Sequence, residues 1–227
     1  TWHNVTYAYQ GEDGSKVTYV DGRKVEEEKV EDTFGDYPPF AMTDYETGGY
    51  RASASSELPH SGSNYKAWRG FDDYVTGNDN LWICAAGLYD GTGAYTGSTS
   101  TTVSGTAYSG EWLQIELPHK LKVNYVAVLP QNDTLSRAPK NGVFAGSNDG
   151  TTWNLLGSFT GITTTSSPAW SATVPVNFAL TSSTAYKYFR IIVTAGVSTS
   201  LVTVQNMQLY GHKEGDLTRF PEPTRVL

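Results

Sequence analysis

Short alternating segments separated by tight turns are the feature that most limits what this chain can fold into. Residues 112–117 and 186–194 alternate apolar with polar or amphipathic side chains, which is the two-residue period of half-buried antiparallel strands. Asp21-Gly22 and Asn148-Asp149-Gly150 are turn sequences of the kind that close hairpins. No stretch of ten or more residues has a convincing helical period. The pattern predicts an all-β fold.

Eight segments between residues 40 and 211 have this strand pattern, which suits a two-sheet sandwich. The 23 Gly and 15 Tyr, with many Ser and Thr, agree with strands joined by turns. Ahead of this block, residues 16–20 and 23–30 flank Asp21-Gly22 and predict a type I′ β-hairpin. The eight segments are residues 51–56, 112–117, 123–129, 142–147, 152–156, 172–178, 186–194 and 201–210.

Proline-containing stretches on both sides of the block predict its boundaries. Residues 31–39 are acidic and end in two prolines, and residues 219–223 have a similar aromatic and proline pattern. The chain opens within a strand-like pattern, so we expect a piece of a longer multidomain protein, with any signal peptide outside it. The predicted domains are a β-hairpin fragment with linker at residues 1–37, a β-sandwich at 38–211 and a linker at 212–227.

Charge and cysteine content exclude several kinds of partner and site. A net charge of −7, from 16 basic and 23 acidic residues, gives no basic surface for a phosphate backbone, so we expect no nucleic acid ligand. The longest apolar runs are strand-sized and fall far short of the roughly 20 residues that span a bilayer. Cys84 is the sole cysteine, which rules out an intrachain disulfide and a cysteine-based zinc site but leaves the compartment open.

The sequence lacks the common catalytic motifs. Its four histidines do not have the His-Glu-x-x-His spacing of metalloproteases, and no Gly-x-Ser-x-Gly nucleophile elbow is present. The run Glu26-Glu27-Glu28 lies on a predicted hairpin strand, where a solvated edge is the expected role. We therefore expect a protein that is not an enzyme.

One segment, residues 85–110, is too long for an ordinary hairpin loop. It holds six Gly, ten Ser or Thr and three Tyr, with few charges. Loops of this length without structure of their own are usually functional or disordered. The three tyrosines, Tyr89, Tyr95 and Tyr108, are therefore candidates for exposed ligand contacts.

Six short motifs occur in order along residues 50–211. They are Ala52-Ser53-Ala54-Ser55-Ser56, Gly70-Phe71-Asp72-Asp73 with Trp82 beyond it, residues 110–117, residues 146–153, residues 186–193 around Tyr188-Phe189-Arg190, and Met207-Gln208-Leu209-Tyr210-Gly211. In this order they resemble the discoidin family, also called the coagulation factor V/VIII C-type domain, which overlaps a large family of galactose-binding carbohydrate modules. The resemblance implies a discoidin-like jelly-roll β-sandwich that binds ligands through loops at one end.

The first residues resemble the last strands of a concanavalin-like or laminin-G-like domain. This match rests on Trp2-His3-Asn4-Val5 and on residues 19–23, and it covers only a fragment. A lone hairpin is marginally stable, so this fragment must pack on a neighbour or gain strands.

The family resemblance also implies a structural calcium beside the ligand loops. Asp72 matches its aspartate ligand, whereas Asn80 stands where the family has threonine and Asn206 where it has glutamate. Calcium takes six to eight oxygen ligands, and fewer carboxylates weaken its binding, although Asp73 or Asp79 could compensate. The alternative is that Asp72 and Asn80 cap turns in an acidic loop without a metal.

The resemblance further implies a ligand site in which an aromatic face stacks on a sugar and polar groups bind its hydroxyls. For the four tryptophans Trp68, Trp82, Trp112 and Trp153 a place in the core is the stronger expectation, because large aromatics dominate cores. The candidate contacts are Tyr89, Tyr95, Tyr108, Asn132, Arg137 and His60, with Trp68 beside them.

These observations give one leading hypothesis and two alternatives. The leading one is a non-catalytic carbohydrate-binding or adhesion module of a larger secreted or surface protein of a microbe or virus, whose partner is a cell-surface glycan or a polysaccharide. The alternatives are a structural or protein-interaction module of a fibre or capsid, and an accessory domain of a glycan-degrading enzyme. Membrane insertion is disfavoured, because the long segment has Tyr, Ser and Thr rather than exposed Leu, Phe or Trp. The expected location is extracellular, on a cell or virion surface.

Overall fold

The computed structural model describes residues 5–10, 15–20, 23–29, 34–60, 62, 64–75, 79–180 and 182–213. Within them the chain forms sixteen strands and two 3-10 turns, Ala67–Phe71 and Leu135–Arg137, and no α-helix. The predicted all-β fold is confirmed. The strands are β1 Val5–Gln10, β2 Ser15–Val20, β3 Arg23–Lys29, β4 Phe34–Tyr37, β5 Glu46–Thr47, β6 Tyr50–Ala54, β7 Trp82–Ile83, β8 Ser100–Val103, β9 Thr106–Ser109, β10 Glu111–Leu129, β11 Pro139–Ser147, β12 Asn154–Phe159, β13 Val176–Ala179, β14 Tyr186–Gly196, β15 Thr203–Val204 and β16 Asn206–Lys213.

Strands β1, β2 and β3 form a three-stranded antiparallel sheet of their own. Val20 pairs with Arg23, so β2 and β3 form the hairpin predicted from the sequence. The two turn residues, Asp21 and Gly22, lie outside the described residues. The resemblance of this part to the end of a laminin-G-like domain stays a prediction.

The remaining main strands form a sandwich of antiparallel sheets in which β10 belongs to both layers. Its first part, residues 111–116, pairs with β14 and β6, and its second part, residues 121–129, pairs with β16 and β13. The register shifts between Glu116 and Leu121, where the strand passes from one layer to the other. The sequence predicts two separate strands here, and the structure joins them into one element with a corner.

The core lies between the two layers and follows the alternation seen in the sequence. Leu113, Ile115 and Leu117 of β10 are fully buried, and so is Ile191 of β14 opposite them. The polar side chains that alternate with these residues point to the outer face. Each such side chain contributes about 1.5–3 kcal/mol through burial, so the period-two pattern fixes which face of each strand is inside.

The sandwich begins before the predicted boundary at residue 38 and ends after residue 211. Strand β4 lies within the predicted linker, but it pairs with β16 along residues 209–212 and so closes one edge of the sheet. Strand β16 itself continues to Lys213. Edge pairing satisfies backbone groups that a linker would leave to water, which explains why this acidic stretch is a strand.

The long segment 85–110 is folded. Its β8–β9 hairpin covers the outer face of one sheet, where Val103 packs with Trp153 and Ile192 in a second, smaller apolar cluster. Beside this cluster the guanidinium of Arg190 lies 3.8 Å from the ring centre of Trp112 and 4.1 Å from that of Trp153. The predicted long loop thus has structure of its own.

Candidate functional site

Four loops meet at one end of the sandwich, and we call this surface the loop end: residues 55–60, 84–99, 130–138 and 195–202. Backbone hydrogen bonds join the last three, since Gly196 donates to the Gly93 carbonyl at 2.8 Å and Ser198 to the Ser136 carbonyl at 3.0 Å. The Ser56 hydroxyl joins the first, since it accepts from the backbone of Ala85 at 3.0 Å. Gly87 and Tyr89 both donate to the carbonyl of Ser200 at 3.1 Å. The loop end is therefore a cross-linked surface on a rigid scaffold.

A buried carboxylate holds the long segment to this end. Glu111, at the start of β10, is 1% exposed and accepts hydrogen bonds from three hydroxyl groups. These come from Tyr95 at 2.7 Å, from Ser55 at 2.6 Å and from Ser56. A buried charge needs such partners, so the strand end, the first loop and the long segment depend on one another.

The three tyrosines of the long segment lie in different surroundings. Tyr89 is 1% exposed, and its hydroxyl donates to the Val193 carbonyl at 2.6 Å, so the expectation that it is exposed is wrong. Two glycines allow this segment to approach the sheet closely, since a Cβ would lie 2.1 Å from the Gly196 oxygen at Gly93 and 2.2 Å from the Val193 oxygen at Gly110. Tyr95 is half-buried over Glu111. Tyr108 is half-buried against the cluster under the β8–β9 hairpin.

The other candidate contacts lie in loops of the same end. His60 is exposed and meets Tyr65 edge-on, with ring centres 4.7 Å apart. Arg137 is half-buried and donates to the side chain of Gln131 at 3.4 Å. The Asn132 side-chain oxygen is buried and has no hydrogen-bond partner among the described residues. No contact between described residues joins His60 to the other two side chains.

Of the tryptophans, Trp68 is 6% exposed, Trp82 0% and Trp153 5%, which confirms their expected place in the core. Trp112 differs in being half-buried, because the β8–β9 hairpin covers only part of its face. Trp68 also contacts the guanidinium of Arg69 at 3.8 Å from its ring centre. The half-buried tyrosines here are therefore Tyr95 in the loop end and Tyr65 beside it, in contact with His60.

The side chain of Asp72 has partners inside the protein. Arg69 donates to one carboxylate oxygen at 3.0 Å, and the backbone of Tyr74 donates to the other at 3.0 Å. Burial raises the pKa of Asp72, and the hydrogen bond from Arg69 lowers it in part. The charge that calcium would neutralise is thus already balanced by a guanidinium.

Two backbone carbonyl oxygens of the loop between Asp72 and Trp82 also accept hydrogen bonds from within the protein. The side-chain nitrogen of Gln205 donates to the carbonyl of Asn80 at 2.7 Å and to that of Tyr74 at 3.1 Å. Gln205 is fully buried and lies just before β16. Its amide nitrogen therefore lies within hydrogen-bond distance of two carbonyl oxygens and binds both.

The third position, Asn206, lines a cleft to which Asp73 and Val75 of this loop also contribute. Neighbouring residues of a strand point to opposite faces, so Asn206 lines a different surface from Gln205. Because the Asp72 carboxylate binds Arg69 and the carbonyls of Tyr74 and Asn80 accept from Gln205, the donor set in this arrangement does not fit calcium. Among the described residues, no group of three or more His, Cys, Asp or Glu side chains could hold a metal ion.

Asn206 instead lines a cleft of about 220 Å³ on the outer face of β16 and the second half of β10, which we call the lateral cleft. Loop residues 73–75 form one wall and residues 173–175 the other. Its polar lining consists of Asp36, Asp73, Thr173, Asn206, Gln208 and Tyr210, and its apolar lining of Val75, Ala127, Leu129 and Pro175. The sequence pattern predicts Asn206 as a calcium ligand and Asp73 as a compensating one, and it does not predict the other lining residues.

A signal for this cleft exists in the sequence. The last strand alternates polar Asn206, Gln208 and Tyr210 with the apolar Met207 and Leu209, which predicts a polar outer face. What the sequence does not show is that Asp36 of β4 and Asp73 of a distant loop lie beside that face. Their approach depends on the pairing of β4 with β16, which falls in the predicted linker.

The comparison with protein families identifies the chain. The model of the F5/8 type C domain matches residues 51–204. The chain belongs to the F5/8 type C, or discoidin, family. This confirms the resemblance inferred from the ordered motifs. No curated protein sequence matches the chain significantly.

Solved structures with the same fold include several modules of sugar-acting enzymes. A CBM32 module of Clostridium perfringens in complex with GalNAc-β-1,3-galactose is 14% identical, with a TM-score of 0.51, covering 72% of this chain and 96% of its own. The C-terminal domain of a chitobiase from Bacteroides fragilis is 17% identical, with a TM-score of 0.52, and the match covers 72% of this chain and 94% of the chitobiase domain. CBM32-3 from a family 31 glycoside hydrolase of C. perfringens is 14% identical, with a TM-score of 0.51 and coverages of 71% and 90%.

At these identities the likeness shows the fold, a discoidin-like β-sandwich. Across the described residues, no helix has the length and hydropathy needed to cross a membrane.

Proposed function

We propose that this F5/8 type C domain is a non-catalytic module that binds a glycan through its loop end. The observation behind this proposal is the family match over residues 51–204, together with a shared fold with CBM32 modules, one of which holds a disaccharide. The glycan would be part of a cell surface or of a polysaccharide. Because such glycans are extracellular, the same proposal places this domain outside the cell.

The geometry of the loop end supports this proposal. Its loops are joined by backbone hydrogen bonds and by the Ser56 hydroxyl, so polar side chains stand on a fixed frame, as recognition of sugar hydroxyls requires. Arg137 and Asn132 come from one loop and His60 from another, and their polar atoms can donate to and accept from hydroxyl groups. The exposed edge of His60 with Tyr65 offers an aromatic surface for a sugar ring.

The domain itself has no catalytic role in this proposal. The buried carboxylate Glu111 is committed to three hydroxyl donors, and Asp72 is committed to Arg69. Neither is placed as a general acid or base facing an open surface. A module of this kind serves a larger protein by attachment, whether that protein is an adhesin or a glycan-degrading enzyme.

A glycan array followed by titration calorimetry tests the proposal. We expect one class of glycans to bind the wild-type domain, and Arg137→Ala to weaken binding by about tenfold, since a hydrogen bond to a charged group is worth about 1.5–3 kcal/mol. Arg51→Ala is the matched control, because Arg51 is an exposed arginine on β6, away from the loop end, and pairs with Glu46. A flat array, or equal losses in both variants, would refute binding at the loop end.

A further inference from the structure

The guanidinium of Arg137 lacks the kind of partner that the other described arginines have. Among the arginines whose side chains the structure describes, two are ion-paired with a carboxylate and one lies against two indole rings; these are Arg51, Arg69 and Arg190. Within the described residues, Arg137 has no carboxylate at ion-pair distance, no aromatic ring over its guanidinium, and one side-chain hydrogen bond, to Gln131 at 3.4 Å. Most of its N–H groups are therefore unused. A half-buried cation in this state favours an anion from outside the protein.

The position of this guanidinium is restricted by the loop that carries it. Gln131 is 3% exposed, and its side-chain oxygen accepts the hydrogen bond from Arg137. The backbone forms a 3-10 turn at the same point, where Arg137 donates to the Thr134 carbonyl at 3.0 Å. An anion that binds here thus meets a cation whose freedom is already reduced, which lowers the entropic cost of binding.

The two loops that meet beside Arg137 also carry unused hydroxyl groups. The backbone of Ser198 donates to the Ser136 carbonyl at 3.0 Å, which places residues 197–199 beside the turn that ends at Arg137. The side-chain hydroxyls of Ser136, Ser198 and Thr199 make no hydrogen bond to any described residue, and none of the three residues is buried. These hydroxyls can donate to the oxygens of an anionic group or of the sugar that carries it.

The loop end as a whole is not basic, which limits how much negative charge a ligand can bring. Asp90 and Asp133 are exposed in the same surface, and neither forms an ion pair with Arg137. Asp90 is used within its own turn, where it accepts from the backbones of Thr92 and Ala94 at 2.8 and 2.9 Å. Two carboxylates repel a densely charged chain, whereas a direct contact between one guanidinium and one anionic group is strong at short range. The surface therefore suits a sugar with a single anionic group.

We propose that the loop end takes a sugar that carries one anionic oxygen group, a carboxylate or a sulfate ester, and that Arg137 binds this group. The guanidinium donates two N–H groups to the anionic oxygens, and the hydroxyls of Ser136 and Ser198 donate to other oxygens of the same sugar. This inference rests on the proposed function, because it names the ligand class of the same surface.

Titration calorimetry with matched monosaccharides at neutral pH tests the proposal. The probes are galacturonic acid, its methyl ester and galactose 6-sulfate, and the same three derivatives of glucose, so that within each series only the group at one carbon changes. In at least one series we expect the carboxylate or the sulfate to bind at least about tenfold more tightly than the neutral ester, and sodium chloride to reduce that difference. Esters that bind as tightly as the anions in both series would overturn the proposal.

Substitutions at Arg137 separate its charge from its hydrogen bonds. Arg137→Gln keeps a donor without the charge, so we expect it to weaken binding of the anionic sugar by about tenfold and binding of the ester by less than about twofold. Arg137→Lys keeps the charge without the planar pair of donors, so we expect an intermediate loss. Both variants should melt like the wild type, because Arg137 has no ion pair to lose among the described residues. Arg51→Gln, which removes an exposed arginine paired with Glu46, is the matched control and should bind every probe as the wild type does.

The outcomes separate this inference from the proposed function. If the esters bind as tightly as the anions and Arg137→Ala weakens both, the loop end is a glycan site and the anionic ligand class is wrong. If no sugar binds and the glycan array is flat, the proposed function fails and this inference fails with it. If sodium acetate or sodium sulfate alone displaces the sugar at equal concentration, the surface binds a bare anion, which also overturns the inference. Loss of the anionic sugar in Arg137→Gln, with the ester unaffected, supports it.

Discussion

Replacement of Gln205 tests how the loop between Asp72 and Trp82 is held closed. In Gln205→Leu the carbonyls of Tyr74 and Asn80 lose the amide nitrogen that lies 3.1 and 2.7 Å from them. A carbonyl left without a donor costs about 1–3 kcal/mol when buried, and because this loop is partly exposed we expect a total of about 2–3 kcal/mol. For a domain of this size, this corresponds to a fall in melting temperature on the order of 5–10 °C.

The assay is thermal unfolding by circular dichroism, with excess calcium and with chelator. We expect the wild type to melt at the same temperature in both, because a ligand that does not bind the native state does not stabilise it. Gln205→Leu should melt lower in both. Gln205→Glu places a carboxylate against two carbonyl oxygens, so we expect it to be unstable with chelator and to be rescued by calcium.

Two results would refute this reasoning. If calcium raises the melting temperature of the wild type by several degrees, the amide does not replace the ion and the family's metal site is functional here. If Gln205→Leu melts like the wild type, the two hydrogen bonds do not hold the loop. The first result concerns the ion and the second concerns the amide, so they are informative separately.

Three further predictions concern groups away from the ligand surfaces. Arg190→Ala should lower the free energy of unfolding, measured in urea, by about 3–5 kcal/mol. The variant removes a cation that contacts two indole rings, together with its hydrogen bonds to Gln114 and Thr101. Arg190→Lys should cost about half as much. Glu111→Ala should cost about 3 kcal/mol and make residues 85–99 sensitive to limited proteolysis, since three hydroxyl donors lose their acceptor. Burial raises the pKa of Cys84 from 9.0 to about 12, so the folded protein keeps a proton that the unfolded chain loses. The free energy of unfolding should therefore fall between pH 9 and 12, and it should fall less in Cys84→Ala. A thiol reagent should react with Cys84 only when the protein unfolds.

The sequence allowed the sandwich to be predicted because its signals are local. The alternation of apolar side chains in residues 112–117 and 186–194 places Ile115 and Ile191 inside, and the structure has both fully buried. Turn residues between strands and the ordered family motifs are equally local. Such features need no knowledge of which strands are neighbours.

The parts that the sequence analysis missed depend on contacts between distant segments. Strand β4 looks like a linker until its pairing with β16 is known, and the lateral cleft follows from that pairing. Tyr89 lies in a Gly-rich segment typical of an exposed loop, yet its hydroxyl reaches a carbonyl 104 residues away. The calcium ligands were assigned one by one from the family pattern, whereas the fit depends on the neighbouring Gln205, which the pattern does not include.

The pairing of β4 with β16 also sets how the domain would respond to mechanical load. Phe34 lies opposite His212, so the two strands that connect the sandwich to flanking chain start and finish next to each other, at the end away from the loops. A pull on both flanking segments would peel these two strands apart one hydrogen-bonded pair at a time, without passing force through the loops. The loop end would keep its shape under such tension, whereas the lateral cleft would change as soon as the pairing of Asp36 with Tyr210 opened.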